Sequence, residues 1–308
     1  MFPVILLYAL FASLFGFSKA TLEHCEPIFL IGSRMAFAGV LLVTHQYLFN
    51  RKIFKTLNKK AWIDFLLLGF IAIYVTNIFE IWGIERMSSA KACFIYSVSP
   101  FLSGLFSYLL FREWLTRRKW LGMFLGFIGL IPLQMHSFAQ SSLSESGSLV
   151  GDLALLIAVV ASVYGWILLK QIVTRHGQSL LLANGFAMLF GGSLALIHSF
   201  FAGESWAPVP VSNYEYFLMN TLAMCLISNI VCYNLYGYLL KRYSATFMSF
   251  AGLITPLFAS FFGWLFLGET LSLHFVISFI LFVLGLYLFH KDELIEERKR
   301  KLSECPVG

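Results

Sequence analysis

The feature that most constrains this chain is a series of long apolar segments that recur along almost its whole length. They lie at residues 2–22, 27–49, 61–83, 91–111, 118–136, 150–170, 179–201, 214–238, 245–267 and 272–290. A helix needs about 20 predominantly apolar residues to cross a bilayer. The sequence therefore predicts an all-α membrane protein with ten transmembrane helices.

Composition excludes the main alternatives to such a fold. The chain is 59% hydrophobic and 12% charged, whereas a soluble domain is about 25% charged. A soluble fold of this composition would expose more apolar surface than soluble monomers do. The apolar runs are also continuous, so they lack the alternating pattern of a membrane β-barrel.

The sequence contains none of the common signatures of an enzyme, a metalloprotein or a nucleic-acid-binding protein. No His-Glu-x-x-His, Gly-x-Ser-x-Gly or Cys-x-x-Cys motif is present. We therefore predict no catalytic residue, no metal site and no cofactor. The basic runs are short, and membrane topology explains them better than nucleic-acid binding does.

Basic residues are concentrated on one side of the predicted membrane. Most of the 22 Lys and Arg residues lie in the connections that follow even-numbered segments and in the tail beyond residue 290, whereas the connections at 137–149 and 202–213 contain none. Cytoplasmic loops carry the excess of Lys and Arg. Both termini are therefore predicted to be cytoplasmic.

The sequence repeats itself at a shift of 156 residues, the separation of Pro100 and Pro256. The same shift relates Phe106, Leu109, Glu113, Leu115, Leu125, Gly129 and Leu130 to Phe262, Leu265, Glu269, Leu271, Leu281, Gly285 and Leu286. Each half then holds five segments, and an odd number inverts the second half in the membrane. We predict a 5+5 inverted repeat. Its parts are a first repeat at 1–136, an extracytoplasmic loop at 137–149, a second repeat at 150–290 and a charged cytoplasmic tail at 291–308.

The two repeated prolines lie near the middle of the fourth and ninth segments. Proline has no N–H and clashes with the carbonyl four residues earlier. Tyr96 and Gly252 are therefore predicted to lose their helical donors. Broken helices at corresponding places in an inverted repeat favour alternating access to a site at mid-membrane depth. A static kink, satisfied by a neighbouring serine, is the alternative.

Arg34 and Glu80 are charged residues inside predicted spans, where a charge costs several kcal/mol and usually faces a cavity or a partner. Three interpretations are open: a structural Arg34–Glu80 salt bridge, binding of a charged substrate by one or both, and proton transport by Glu80. Glu113 and Glu269 lie near segment ends. They are predicted to accept hydrogen bonds from the free N–H groups of the next helix.

Aromatic residues and amides within the spans complete the candidate substrate-binding set. The set contains Arg34, Glu80, Asn77, Tyr74, Tyr96, Pro100, Tyr164, Trp166, Asn184, Asn229, Tyr233 and Pro256. A cavity lined by such side chains fits a planar organic ligand, and interhelical hydrogen bonds are the structural alternative for the amides. Gly122, Gly126 and Gly129 share one helix face, which predicts close helix packing within the chain or in a homodimer.

These features resemble the drug/metabolite transporter superfamily, in particular its EamA family, over nearly the whole chain. The resemblance is carried by Ala12-Ser13 with Gly16, by Ala161-Ser162 with Gly165, and by Pro100…Glu113-Trp114-Leu115 with Pro256…Gly268-Glu269-Thr270-Leu271. Arg112 stands where glycine is common in the family. The resemblance implies a secondary carrier of the bacterial cytoplasmic (inner) membrane, with a central cavity between its halves.

The candidate residues also indicate the kind of substrate that the site could bind. Arg34 suits a carboxylate, Glu80 a cation and the aromatic side chains a planar ring. S-adenosylmethionine, exchanged for S-adenosylhomocysteine, is the leading hypothesis, and some EamA-type carriers transport this pair. A proton-coupled exporter of amino acids, purine-type metabolites or drugs is one alternative. A non-transporting membrane scaffold or enzyme subunit is the other.

Overall fold

The computed structural model describes residues 1–87, 89–140, 149–207, 209–267 and 273–304. These residues form helices, turns and one antiparallel bridge between Cys25 and Val211. We treat consecutive helical pieces as one helix and number them α1 to α10. The first five are α1 Phe2–Leu22, α2 Pro27–Phe49, α3 Lys59–Ile84, α4 in the pieces Ser89–Tyr96 and Ser99–Phe111, and α5 Arg117–Gln140. The others are α6 Leu149–Thr174, α7 Leu180–Phe201, α8 Tyr214–Leu239, α9 in the pieces Ala245–Ala251, Gly252–Ile254 and Thr255–Leu267, and α10 Leu273–Glu304.

The helices match the apolar segments of the sequence in order and closely in extent. In the described ranges, eight of them contain a stretch long and apolar enough to cross a membrane, and α1 adds a shorter apolar stretch at Phe2–Leu14. The predicted all-helical membrane fold is confirmed at this level. The largest difference in extent is at α10, which continues as a helix to Glu304.

Two helices contain a π-helical segment that the sequence did not predict. These segments are Gly69–Val75 in α3 and Cys225–Cys232 in α8. Each is followed by an asparagine that donates its side-chain N–H to a carbonyl of the segment. Asn77 donates to Ile73 O at 2.6 Å, and Asn234 donates to Ile230 O at 2.8 Å. The first residues of the two segments, Gly69 and Cys225, are related by the same shift as the two prolines.

The prolines interrupt α4 and α9 as predicted, but the freed backbone is partly satisfied locally. Pro100 is buried near the start of the second piece of α4. In α9 a short 3₁₀ turn precedes Pro256, and there the Thr255 N–H donates to the Gly252 carbonyl. Gly252 thus loses the α-helical donor that Pro256 lacks, as predicted, and a tighter turn supplies another donor.

Glycines bring helices of the two halves into close backbone contact. A Cβ added at Gly39 of α2 would lie 2.4 Å from Leu189 N of α7, and one added at Gly32 would lie 2.8 Å from Leu196 N. Gly32 precedes Gly39 in α2 but contacts the residue that comes later in α7, Leu196, so the two helices are antiparallel.

The glycine face predicted on α5 packs within the chain, against α10. A Cβ at Gly122 would lie 2.7 Å from Gly285 O, and one at Gly129 would lie 2.8 Å from Leu281 Cβ. The α5 and α10 helices are therefore antiparallel as well. No dimer is required to explain this face.

Polar contacts join the halves at both ends of the bundle. At the loop end, defined by the α1–α2 and α7–α8 connections, Glu204 accepts hydrogen bonds from Ile28 N at 2.8 Å and Phe29 N at 2.9 Å. These bonds satisfy two of the free donors at the start of α2.

At the opposite, tail end, Met1 N donates to Tyr243 Oη at 3.1 Å, and Ser244 N donates to Glu293 at 2.9 Å. Met1 and the Glu293 region of α10 therefore lie at this end. Glu113 pairs with Lys170 at 3.3 Å instead of accepting from the start of α5, where Thr116 receives the Lys119 N–H. The Glu113 prediction was wrong, and Glu269 lies outside the described residues.

The α2–α7 contact leads to a stability prediction. Gly39→Leu forces a side chain into the Leu189 backbone, and overpacking of this kind costs about 1–3 kcal/mol. We expect the detergent-purified variant to melt several degrees below the wild type. Val40→Leu, at an exposed neighbouring position on the same helix, is the matched control and should melt like the wild type. Equal melting of the two variants would contradict the packing described.

Candidate functional site

A cluster of polar and aromatic side chains occupies the interior of the bundle. Its members come from five helices and are Arg34 of α2, Glu80 of α3, Tyr96 of α4, Trp166 of α6 and Tyr233 of α8, called here the central cluster. The four titratable members lie deep in the bundle, yet all five side chains keep an intermediate part of their surface accessible. The five side chains therefore lie in the interior of the bundle without being fully covered.

Arg34 is the least satisfied member of the central cluster. Its closest polar contact is a long one, from Nη1 to Met224 Sδ at 3.8 Å, and in the described part of the chain its Nε atom has no hydrogen-bond partner. A buried cation without a partner is costly. The arginine therefore has unused donors that could receive an anionic ligand.

Glu80 interacts electrostatically with Arg34 but does not form a salt bridge with it. Ion pairs within 4.0 Å in the described ranges join other residues, and the neutral hydroxyl of Tyr96 lies beside Glu80. Tyr96 is the last residue before the α4 interruption. The structural salt bridge left open by the sequence is therefore absent from this arrangement.

An aromatic platform flanks the charged pair. The Trp166 ring is stacked on Tyr236, with ring centroids 3.9 Å apart and planes at 22°, and its centroid lies 5.1 Å from that of Tyr233. Tyr233 in turn interacts electrostatically with both Arg34 and Glu80. An extended aromatic surface beside a cation and an anion can bind a planar, zwitterionic molecule.

Asn229 adds an unused acceptor next to the cluster. Its Nδ2 atom contacts Met35 Sδ at 2.8 Å, and its buried Oδ1 atom has no hydrogen-bond partner among the described residues. Met35 follows Arg34 on α2. The free Oδ1 could accept a hydrogen bond from a ligand amine.

The remaining candidates make contacts elsewhere. Asn77 is occupied by its own helix, and Asn184 donates to Asn234 Oδ1 at 2.9 Å. The Tyr74 hydroxyl lies 3.2 Å from His198 Nδ1. Tyr164 packs on Phe106 at a ring distance of 5.7 Å. The described polar contacts do not join these four residues to the central cluster, although Tyr74 and Tyr164 pack against the same hydrophobic core as Trp166 and Tyr233.

The sequence missed two parts of the site. Tyr236 supplies half of the aromatic stack, and the π-helical segment of α8 ends at the residue before Tyr233. The spacing of Tyr233 and Tyr236, which places both on one helix face, was the available signal for Tyr236. Nothing in the residue pattern indicated the π-helical segment.

Comparison with known proteins agrees with this architecture. The EamA-like transporter family matches residues 1–133 and 149–290. A protein of Chlamydia muridarum named S-adenosylmethionine/S-adenosylhomocysteine transporter is 39% identical over 298 residues, which cover 95% of this chain and 92% of that protein. A protein of the same name from Chlamydia trachomatis serovar L2 is also 39% identical, with 89% of its length covered.

More distant similarity extends to other transporters and to a solved fold. An Escherichia coli K12 protein named as an uncharacterized inner membrane transporter is 27% identical over 292 residues, which cover 92% of this chain and 90% of that protein. One crystal structure, 16% identical, superposes with a TM-score of 0.72 and covers 93% of both chains. The chain is a multi-pass membrane transporter, and it belongs to the EamA-like transporter family.

Proposed function

We propose that this chain exchanges S-adenosylmethionine for S-adenosylhomocysteine across the bacterial cytoplasmic membrane by alternating access. The observation that carries the proposal is Arg34, whose Nε atom has no partner among the described residues, together with Glu80 and the Trp166–Tyr236 stack. Both ligands contain a carboxylate, an ammonium group and an adenine ring. The names of the two chlamydial relatives support the same pair of substrates.

Four members of the central cluster and the neighbouring Asn229 have roles in this proposal. Arg34 binds the ligand carboxylate, for which its planar guanidinium offers two parallel donors. Glu80 faces the cationic sulfur, and Asn229 Oδ1 accepts from the ammonium group. Trp166 and Tyr233 hold the adenine ring. Stacking gives affinity, while the charged contacts set orientation.

The architecture that we propose is ten transmembrane helices in a 5+5 inverted repeat, with both termini in the cytoplasm. The repeats are 1–136 and 150–290, joined by an extracytoplasmic loop at 137–149 and followed by the tail at 291–308. The family matches on two segments support this division. The antiparallel α2–α7 and α5–α10 contacts also support it, because they pair helices at equivalent positions of the two halves.

The substrate assignment can be tested in proteoliposomes. Vesicles loaded with S-adenosylhomocysteine should take up labelled S-adenosylmethionine, and empty vesicles should take up much less. Arg34→Ala should lower uptake at limiting substrate at least about tenfold, since a hydrogen bond to a charged group contributes about 1.5–3 kcal/mol. Arg34→Lys keeps the charge without the paired donors and should retain an intermediate rate.

Arg86→Ala is the control for this experiment. Arg86 is an exposed arginine at the end of α3 that lies over Trp82, and its loss should leave uptake near the wild-type rate. Wild-type vesicles that exchange neither ligand would refute the proposed substrate.

The aromatic platform leads to a separate expectation. Trp166→Ala removes the ring that stacks on Tyr236 and should weaken S-adenosylmethionine binding about tenfold, at 1–3 kcal/mol per stacked base. Trp166→Phe should weaken it less. Isothermal titration in detergent measures both, with Trp82→Ala at an exposed position as the control. Unchanged affinity in Trp166→Ala would exclude this ring from the site.

Topology can be measured independently of transport. Green fluorescent protein fused to either terminus should fluoresce, and alkaline phosphatase at the same points should be inactive because its disulfides form only outside the reducing cytoplasm. Opposite results at the two termini would contradict an even number of spans.

A further inference from the structure

Among the described residues, Glu80 differs from several other carboxylates because it has no basic side chain within ion-pair distance. Glu113, Asp152, Asp64 and Glu296 each lie within 4.0 Å of a basic side chain. In the described ranges Glu80 forms no such pair: Arg34 lies beyond ion-pair distance, and the neutral hydroxyl of Tyr96 lies beside the carboxylate. No direct ion pair in the described structure therefore fixes its charge.

The groups that face Glu80 cannot change charge in its place. They are Arg34 from α2, Tyr96 from α4 and Tyr233 from α8. A guanidinium stays protonated and a tyrosine stays neutral near pH 7. Within the central cluster, only Glu80 can gain or lose a proton as the ligand changes.

The two proposed ligands differ by one unit of charge at the atom that Glu80 would face. S-adenosylmethionine has a carboxylate, an ammonium group and a sulfonium, so its net charge is positive. S-adenosylhomocysteine has a neutral thioether and no net charge. An uncompensated charge inside a membrane protein is costly, so a site that accepts both ligands needs one group that compensates the difference.

We propose that Glu80 is this group and that the carrier moves one proton with S-adenosylhomocysteine in exchange for the sulfonium. When the sulfonium binds, the O–H bond of the Glu80 carboxyl breaks and the proton passes to water on that side. When the thioether ligand binds from the other side, the carboxylate takes a proton from that side. The loaded site then has the same net charge in both halves of the cycle, and exchange is electroneutral.

This inference rests on the proposed function, and wild-type protein tests it directly. Proteoliposomes with S-adenosylhomocysteine inside and S-adenosylmethionine outside are clamped at 0 or −100 mV with potassium and valinomycin, and a trapped dye reports pH. We expect the accumulation ratio to be independent of voltage, with one proton moved against each sulfonium. Exchange of S-adenosylmethionine for itself should move none.

Electrogenic exchange would give a different result. One net charge per cycle changes the accumulation ratio about 50-fold per 100 mV, from about 2.3 kcal/mol per charge. Such a voltage dependence without proton movement would overturn the inference and leave the proposed function intact. Absence of any exchange would instead refute the proposed function.

Glu80→Gln tests the residue itself. The amide cannot carry the proton, so homoexchange of S-adenosylhomocysteine should persist while heteroexchange slows and its residual rate becomes voltage-dependent. Glu85→Gln, at an exposed acid near the end of the same helix, should move protons as the wild type does. Unaltered proton movement in Glu80→Gln would overturn the assignment, and the wild-type voltage measurement decides the coupling even if this variant does not fold.

Discussion

The need to satisfy every backbone polar group inside an apolar environment governs this structure. Continuous helices meet that need by themselves, so each interruption requires a local replacement. Thr255 N–H replaces the donor that Pro256 lacks. In α3, Thr76 Oγ1 donates to Ile71 O at 3.0 Å, and Asn77 donates to Ile73 O. The interruptions are therefore built-in features of a stable fold.

These replacements explain where the central cluster lies. Tyr96 is the last residue before the break in α4, and Tyr233 directly follows the π-helical segment of α8. Glu80 comes little more than one turn after the π-helical segment of α3. Arg34 and Trp166 are on the uninterrupted helices α2 and α6. Irregular helices thus meet regular ones at the cluster, a combination that suits a site whose walls have to move while its position is kept.

The sequence predicts the helices because the apolar runs have the length that a bilayer demands. The sequence also singles out Arg34, Glu80 and the two prolines as candidate site residues. A charge or a proline within such an apolar run is energetically costly in any orientation of the helix. The sequence cannot predict which residues pair, since Glu113 with Lys170 and Glu204 with the start of α2 depend on how distant helices pack. The π-helical segments were missed for a related reason. Each lies within a continuous apolar run, so hydropathy does not mark it.

The partners available to Arg34 bear on why such a carrier would exchange ligands instead of returning empty. Among the described residues its Nε atom has no hydrogen-bond partner, and Glu80 lies outside ion-pair distance. A ligand carboxylate would pair with the guanidinium. Its departure would leave a buried cation without a partner, which is energetically unfavourable. Alternating access requires the two halves to rearrange around this site. During that rearrangement the Arg34 charge is paired in the loaded carrier and unpaired in the empty one. For the exchange that we propose, Arg34 thus offers a physical reason for coupling, because a second ligand with a carboxylate restores the pairing for the return step.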